Sequence, residues 1–172
     1  TRGGGADQQM HESAATALTA LASELCELWH DPDGNAFASF EREHDGGVHR
    51  EHWRVESTGF KDWLAWLGHT RLGAAPSSET VKSACNAISG KAKFDGAEHT
   101  PALRVAKTVA GYWIDMCDDQ WRAIHTTTTG WAIVDKPPVR FVRNKAMRSM
   151  IVPSTDGNVD LLWALVNVPE ED

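Results

Sequence analysis

From residue 103 to residue 143 the chain never runs far before a turn interrupts it, and this rhythm constrains the fold more than any other feature. The breaks fall at Ala110-Gly111, Asp118-Asp119, Thr129-Gly130 and Pro137-Pro138. Such pairs favour turns because glycine supplies positive φ, aspartate bonds its own backbone, and proline fixes φ while lacking a donor. The runs between them, 103–109, 112–116, 121–126, 131–135 and 139–142, are β-prone and short, which is the pattern of strands rather than helices. Joined by tight turns, they predict an antiparallel meander of about five strands. Pro137-Pro138 donates no ladder hydrogen bond, so the last strand is expected at an edge.

Upstream the periodicity is helical. Leu18, Leu21, Leu25 and Leu28, flanked by Ala14, Ala22 and Trp29, share one face of a helix predicted over residues 10–29. Asp31-Pro32-Asp33-Gly34 stops it, since proline cannot continue a helix and glycine accepts a tight turn. Residues 36–40 and 48–56 read as a hairpin joined by Asp45-Gly46-Gly47. A helix after Ser57 or Thr58 carries Phe60, Trp63, Leu64 and Leu67 on one face. Another after Ser77-Ser78 carries Val81, Ala84, Cys85 and Ile88 and is expected to end at Gly90. A last short helix is predicted over residues 159–166. The fold class is therefore α+β: a meander and an N-terminal hairpin packed with about three or four helices. Residues 1–9, with Gly3-Gly4-Gly5, read as a flexible linker, residues 10–168 as one domain and residues 169–172 as an acidic tail.

A length of 172 residues buries a sizeable core without staples. Cys26, Cys85 and Cys117 are far apart and form no CxxC, so neither a disulfide framework nor a zinc knuckle is expected, and a reducing cytoplasm is the natural compartment. No apolar run approaches the roughly 18 residues a membrane helix needs, so no membrane partner is expected. The net charge of −7 repels polyanions at long range. Locally the balance reverses: Lys136, Arg140, Arg143, Lys145 and Arg148 follow one another without an intervening acid, and such a stripe can grip phosphates. Eight tryptophans against one tyrosine imply that most rings are core. Trp113 and Trp121 are the rings expected to stack on bases if exposed.

Other candidates for chemistry compete with plainer readings. Gly90-Lys91 lacks the partners of a phosphate loop, because Cys85 and Ala92 stand where glycine and serine or threonine are needed; no cofactor is expected. His44, His49 and His52 lie among Glu43, Asp45 and Glu51, but on a strand His49 and His52 point to opposite faces, so solvated hairpin residues are preferred over a metal site. Asp31 and Asp33 resemble a DxD pair for a divalent ion, with Asp115 as a possible third carboxylate, although the DPDG signature favours a turn. Asp115 is expected to face outward. Cys117 and His125, with Asp118 and Asp119 nearby, raise a nucleophilic pair against the simpler reading of a capped turn. No catalytic residue is assigned.

Taken in order, the helix leading into His30-Asp31-Pro32-Asp33-Gly34-Asn35-Ala36-Phe37-Ala38, then His49-Arg50-Glu51-His52-Trp53-Arg54-Val55, Phe60-Lys61-Asp62-Trp63-Leu64 and Gly90-Lys91-Ala92-Lys93-Phe94-Asp95-Gly96 form one series. It continues through Leu103-Arg104-Val105-Ala106, Tyr112-Trp113-Ile114-Asp115, Trp121-Arg122-Ala123-Ile124 and Pro137-Pro138-Val139-Arg140-Phe141. The series resembles the region N-terminal to the P-loop ATPase of replication proteins encoded by phages and integrative elements, the helicase and primase-helicase-like ATP-binding proteins. The resemblance spans roughly residues 20–168, and Leu165-Val166-Asn167-Val168 is similar to the junction before the ATPase core. It implies an accessory domain whose full-length protein is an ATP-binding helicase, and it supplies no catalytic residues here.

Three functions are therefore expected to compete. The first is a domain that binds DNA weakly and salt-dependently through Lys136, Arg140, Arg143, Lys145 and Arg148. The second is an interaction or oligomerisation module that meets a copy of itself or a replication partner. The third is a metal-dependent nuclease or nucleotidyl-transferase built on Asp31, Asp33 and Asp115.

Overall fold

The turn at Asp31-Pro32-Asp33-Gly34 organises the N-terminal half. In the computed structural model, which describes residues 4–45, 47–158, 160–163 and 165–166, Asp31 Oδ1 accepts from the Asn35 backbone N–H and Oδ2 from Asn35 Nδ2, both at 2.7 Å. Gly34 adopts φ 75°, a left-handed value free of Cβ strain in glycine. The turn folds β1 (Glu27–His30) against β2 (Ala36–His44) as an antiparallel pair with Trp29 opposite Phe37. β3 (Gly47–Arg54) completes the hairpin with β2, and β4 (Ala97–Glu98) joins β1 in parallel, so the sheet order is β3-β2-β1-β4.

Three helices, α1 (Gly4–Leu25), α2 (Thr58–Leu72) and α3 (Ser78–Phe94), cover one face of this sheet. Ser57 caps α2 by accepting the Phe60 N–H at 3.2 Å, and Ser77 caps α3 by accepting that of Thr80 at 3.2 Å. Leu18, Leu64, Leu67 and Ile88 are sealed from solvent against Ala36, Ala38 and Phe40 of β2. Each such large side chain contributes about 1.5–3 kcal/mol. Cys85 lies in this core, as the periodicity predicts.

The second half is the predicted meander: β5 (Val105–Thr108), β6 (Gly111–Asp115), β7 (Ala123–Thr127) and β8 (Gly130–Val134), antiparallel in that order. Its buried core is small, with Trp113 and Ala123 packed on Phe141 from the following segment. A single helical turn, α4 (Asp160–Trp163), follows. Among the described residues no helix is long and apolar enough to cross a membrane.

The α+β class stands, with several local differences. The meander has four strands, not five. Residues 139–142 make only one parallel bridge, Ala102 with Phe141, in which Ala102 N–H bonds Arg140 O and Val142 N–H bonds Ala102 O. The Phe141 N–H turns back to Val139 O at 3.1 Å instead of joining a ladder. The first helix ends at Leu25 rather than at 29, because residues 27–30 gain a ladder with β2 once the Asp31 turn brings β2 alongside. That helix begins at Gly4, inside the stretch read as linker. α3 passes through Gly90 to Phe94, and the last helix contracts to four residues. Residues 1–3 of the linker and the acidic tail 169–172 lie outside the described residues.

Gly96 brings the end of α3 onto β1: a Cβ there would clash with Ala92 O and stand 2.6 Å from Leu28 O. Both are backbone atoms and cannot rotate away. Gly96→Ala is expected to cost about 2 kcal/mol, lowering the melting temperature by roughly 4–8 °C in a chain of this size. Gly90→Ala, which points into open space within α3, is expected to raise stability by about 0.5–1 kcal/mol. Thermal melts followed by circular dichroism distinguish the two.

Candidate nucleic-acid interface

The pleat of the first sheet turns Glu27, Trp29, Phe37, Ser39 and His52 away from the helices. Arg140 lies across this face. Its Nη2 donates to Glu27 Oε1 at 2.8 Å and its Nη1 to Glu27 Oε2 at 3.0 Å, while Cζ stands 5.2 Å from the Trp29 ring centre. The Arg140 hydrogen bond holds the Glu27 carboxyl below the usual carboxylate range. Beneath the guanidinium, Ser39 Oγ accepts from Trp29 Nε1 at 2.8 Å and from Arg140 Nη1 at 3.3 Å. Its one proton is left for His52 Nδ1, 2.7 Å away, so that nitrogen must be unprotonated. Burial, together with the charges of Arg140 and Arg50, pushes the His52 imidazole down to about 3.

Arg143 is engaged in the same way. Its Nη2 and Nε donate to the two oxygens of Asp115 at 2.6 and 2.9 Å, and its Cζ lies 4.1 Å over Trp121. Asp115 is buried rather than facing outward. Burial drives its carboxyl upward, but the Arg143 bond and charge outweigh this and hold it below the ordinary value. Cys117 also donates to Asp115, from its backbone N–H at 3.0 Å and from Sγ at 3.1 Å. Burial and this carboxylate both push the thiol up, which disfavours the thiolate a nucleophile needs. His125 belongs elsewhere: it stacks on Trp113 with ring centres 4.0 Å apart and donates to Ala110 O. Trp113 and Trp121 are both buried, so neither presents the free face expected for base stacking.

The metal candidates are also dispersed. Asp31 and Asp33 form the β1–β2 turn, whereas Asp115 ends β6 in the other sheet. His49 and His52 do point to opposite faces, yet they are buried rather than solvated. His49 Nε2 lies 2.9 Å from Glu51 Oε1, and Trp53 Nε1 donates to Glu51 Oε2 at 2.6 Å. Among the described residues no three His, Cys, Asp or Glu side chains gather in a way that would hold a metal ion.

The predicted basic stripe thus divides. Arg140 and Arg143 are structural, and Lys136 stands 3.4 Å from Glu41. Lys145 and Arg148 remain exposed, and the Arg148 carbonyl accepts Arg104 Nη2 at 3.0 Å. That hydrogen bond brings the end of the stripe beside the start of β5, which carries Lys107. Among the described residues Arg104, Lys107, Lys145 and Arg148 have no carboxylate within ion-pair distance.

β5 is the edge of a sheet whose outer face is open along one row of residues and covered at Ile124 in the next. Lys107, Tyr112, Thr126 and Trp131 align across the four strands in register, beside a second row of Val105, Ile114, Ile124 and Ile133. Tyr112 is 49 %, Trp131 42 % and Val105 56 % exposed. Lys107 Nζ stands 5.8 Å from the Tyr112 ring centre. Asp115, the one carboxylate within these strands, points to the opposite face with Trp113. The sequence reading missed Tyr112 and Trp131, although strand alternation carries the signal: adjacent Tyr112 and Trp113 face opposite ways, so burying one exposes the other. No protein family, curated protein or solved structure matches the chain.

Two measurements test this assignment. Arg143→Ala strands a buried Asp115 charge and is expected to destabilise by about 3–5 kcal/mol, whereas Lys145→Ala stays within about 0.5 kcal/mol. His52 is neutral in the fold and titrates at the ordinary 6.5 when unfolded. Its contribution is therefore complete above pH 6.5 and declines as pH falls toward 3. Denaturant unfolding between pH 6.5 and 4.5, above the ordinary glutamate value, is expected to show a loss of stability that His52→Gln reduces.

Proposed function

We propose that this chain is a non-catalytic accessory domain that engages DNA, working beside an ATPase of the phage and integrative-element replication kind that supplies the force. The supporting observation is the band of Arg104, Lys107, Lys145 and Arg148, four of the cations that have no carboxylate partner among the described residues, in a chain of net charge −7. Cations already paired with carboxylates have little net charge to offer a phosphate backbone, whereas these are unpaired. The modest number of cations and the negative total favour weak, salt-sensitive binding, which suits a domain that positions DNA for a motor.

A second reading, a protein-interaction module, has its own support. β1 pairs with β2 only as far as Ser39, leaving the β2 edge beyond it open along a groove of about 1010 Å³ lined by Leu25, Trp63 and Trp66. Trp66 is 58 % exposed there.

Anisotropy titration of labelled DNA at two salt concentrations separates them. Lys145→Glu with Arg148→Glu is expected to weaken binding and to reduce the log–log salt slope by about one unit for each phosphate no longer neutralised, with the melting temperature unchanged. Absence of DNA binding by the parent chain would move the weight to the β2 groove.

A further inference from the structure

We infer that the outer face of the β5–β8 sheet is a stacking platform for unpaired bases, so that the nucleic acid this domain engages is single-stranded. The inference rests on the DNA-engaging reading and extends the same basic band onto the adjoining sheet. Tyr112 and Trp131 lie in one cross-strand row with Thr126 between them. They are therefore two strand spacings apart, about 9.5 Å. A flexible single strand can lay bases on both rings, with a hydroxyl between them to meet a base edge or sugar. A duplex cannot, because its bases are paired and stacked inward and offer no free π-face at its surface. Val105, Ile114 and Ile133 in the neighbouring row continue the apolar floor.

Charge selects this occupant over a protein surface. Among the described residues of these strands, the face carries Lys107 at its β5 edge and no carboxylate, although the chain has 24 acidic residues. Lys107 stands over Tyr112, where its ammonium can reach the phosphate beside a base stacked on that ring. Arg104, whose Nη1 is buried, precedes this strand and bonds the carbonyl of the exposed Arg148. Aromatic rings beside an unpaired cation fit a ligand that alternates flat apolar bases with anions.

The test titrates fluorescein-labelled oligothymidylate and a duplex of equal length with the full chain. Oligothymidylate is expected to bind more tightly than duplex. Tyr112→Ala with Trp131→Ala is expected to weaken oligothymidylate binding by roughly thirtyfold or more. Tyr112→Phe with Trp131→Phe is expected to retain most of it, since a ring still stacks. Both rings are half exposed, and unchanged melting temperatures are expected to show that the fold persists. If the alanine variant binds oligothymidylate as the parent does while Lys145→Glu with Arg148→Glu does not, DNA engagement stands and the platform is overturned. If the parent binds neither nucleic acid, both readings fall. Sedimentation showing self-association that the alanine variant abolishes would also overturn the platform, making the face an interface between copies.

Discussion

The Arg140 guanidinium is where the two halves of the molecule meet, and the arrangement on either side depends on what it satisfies. On the N-terminal sheet it neutralises Glu27, completes the hydrogen bonding of Ser39 and covers Trp29. Helices cover the other face of that sheet, so without the segment around Arg140 this polar, aromatic face would open to water. Arg143, three residues on, repeats the device on the meander by neutralising Asp115 and covering Trp121. Buried ion pairs such as that of Arg143 with Asp115 contribute little net stability over a well-packed apolar alternative, but removing one partner is expensive. They act here to fix a single arrangement, which the small apolar core of Trp113, Ala123 and Phe141 is poorly placed to do alone.

This use of arginine decides where function can reside. In sequence, five cations look equivalent; in the fold, each is assigned by what lies within reach. Arg143 meets the buried Asp115 and Arg140 the exposed Glu27, so both charges are neutralised within the fold, and those that meet only backbone carbonyls or solvent keep their charge available. The same segregation applies to the aromatic rings. Trp29, Trp113 and Trp121 are consumed by packing, and the rings left outward on the meander are those of its uncovered face. The segment around Phe141 folds back on the other side of the sheet.

Much of the fold was legible in the chain. The turn signals between residues 103 and 135 announced β5 to β8, and the leucine spacing and serine caps announced the helices, because those patterns depend on local backbone preference and on one-sided burial. β1 was not legible. Leu28 and Trp29 continue the helical period, and only the ladder with β2 gives residues 27–30 a better set of hydrogen bonds. The fifth strand failed for the converse reason, since residues 139–142 have strand composition but find one bridge partner in Ala102.

By itself, then, the sequence determined the α+β class, the hairpin after Gly34, the meander and the burial of residues such as Cys85, all of which follow from short-range periodicity and turn chemistry. The tertiary structure decided which charges and rings remain free. Arg140 and Lys145 are indistinguishable in a local window, and so are Trp113 and Trp131. Their roles separate only when distant Glu27 and Asp115 arrive beside the arginines, because an ion pair such as that of Glu27 with Arg140, 113 residues apart, leaves no periodic trace.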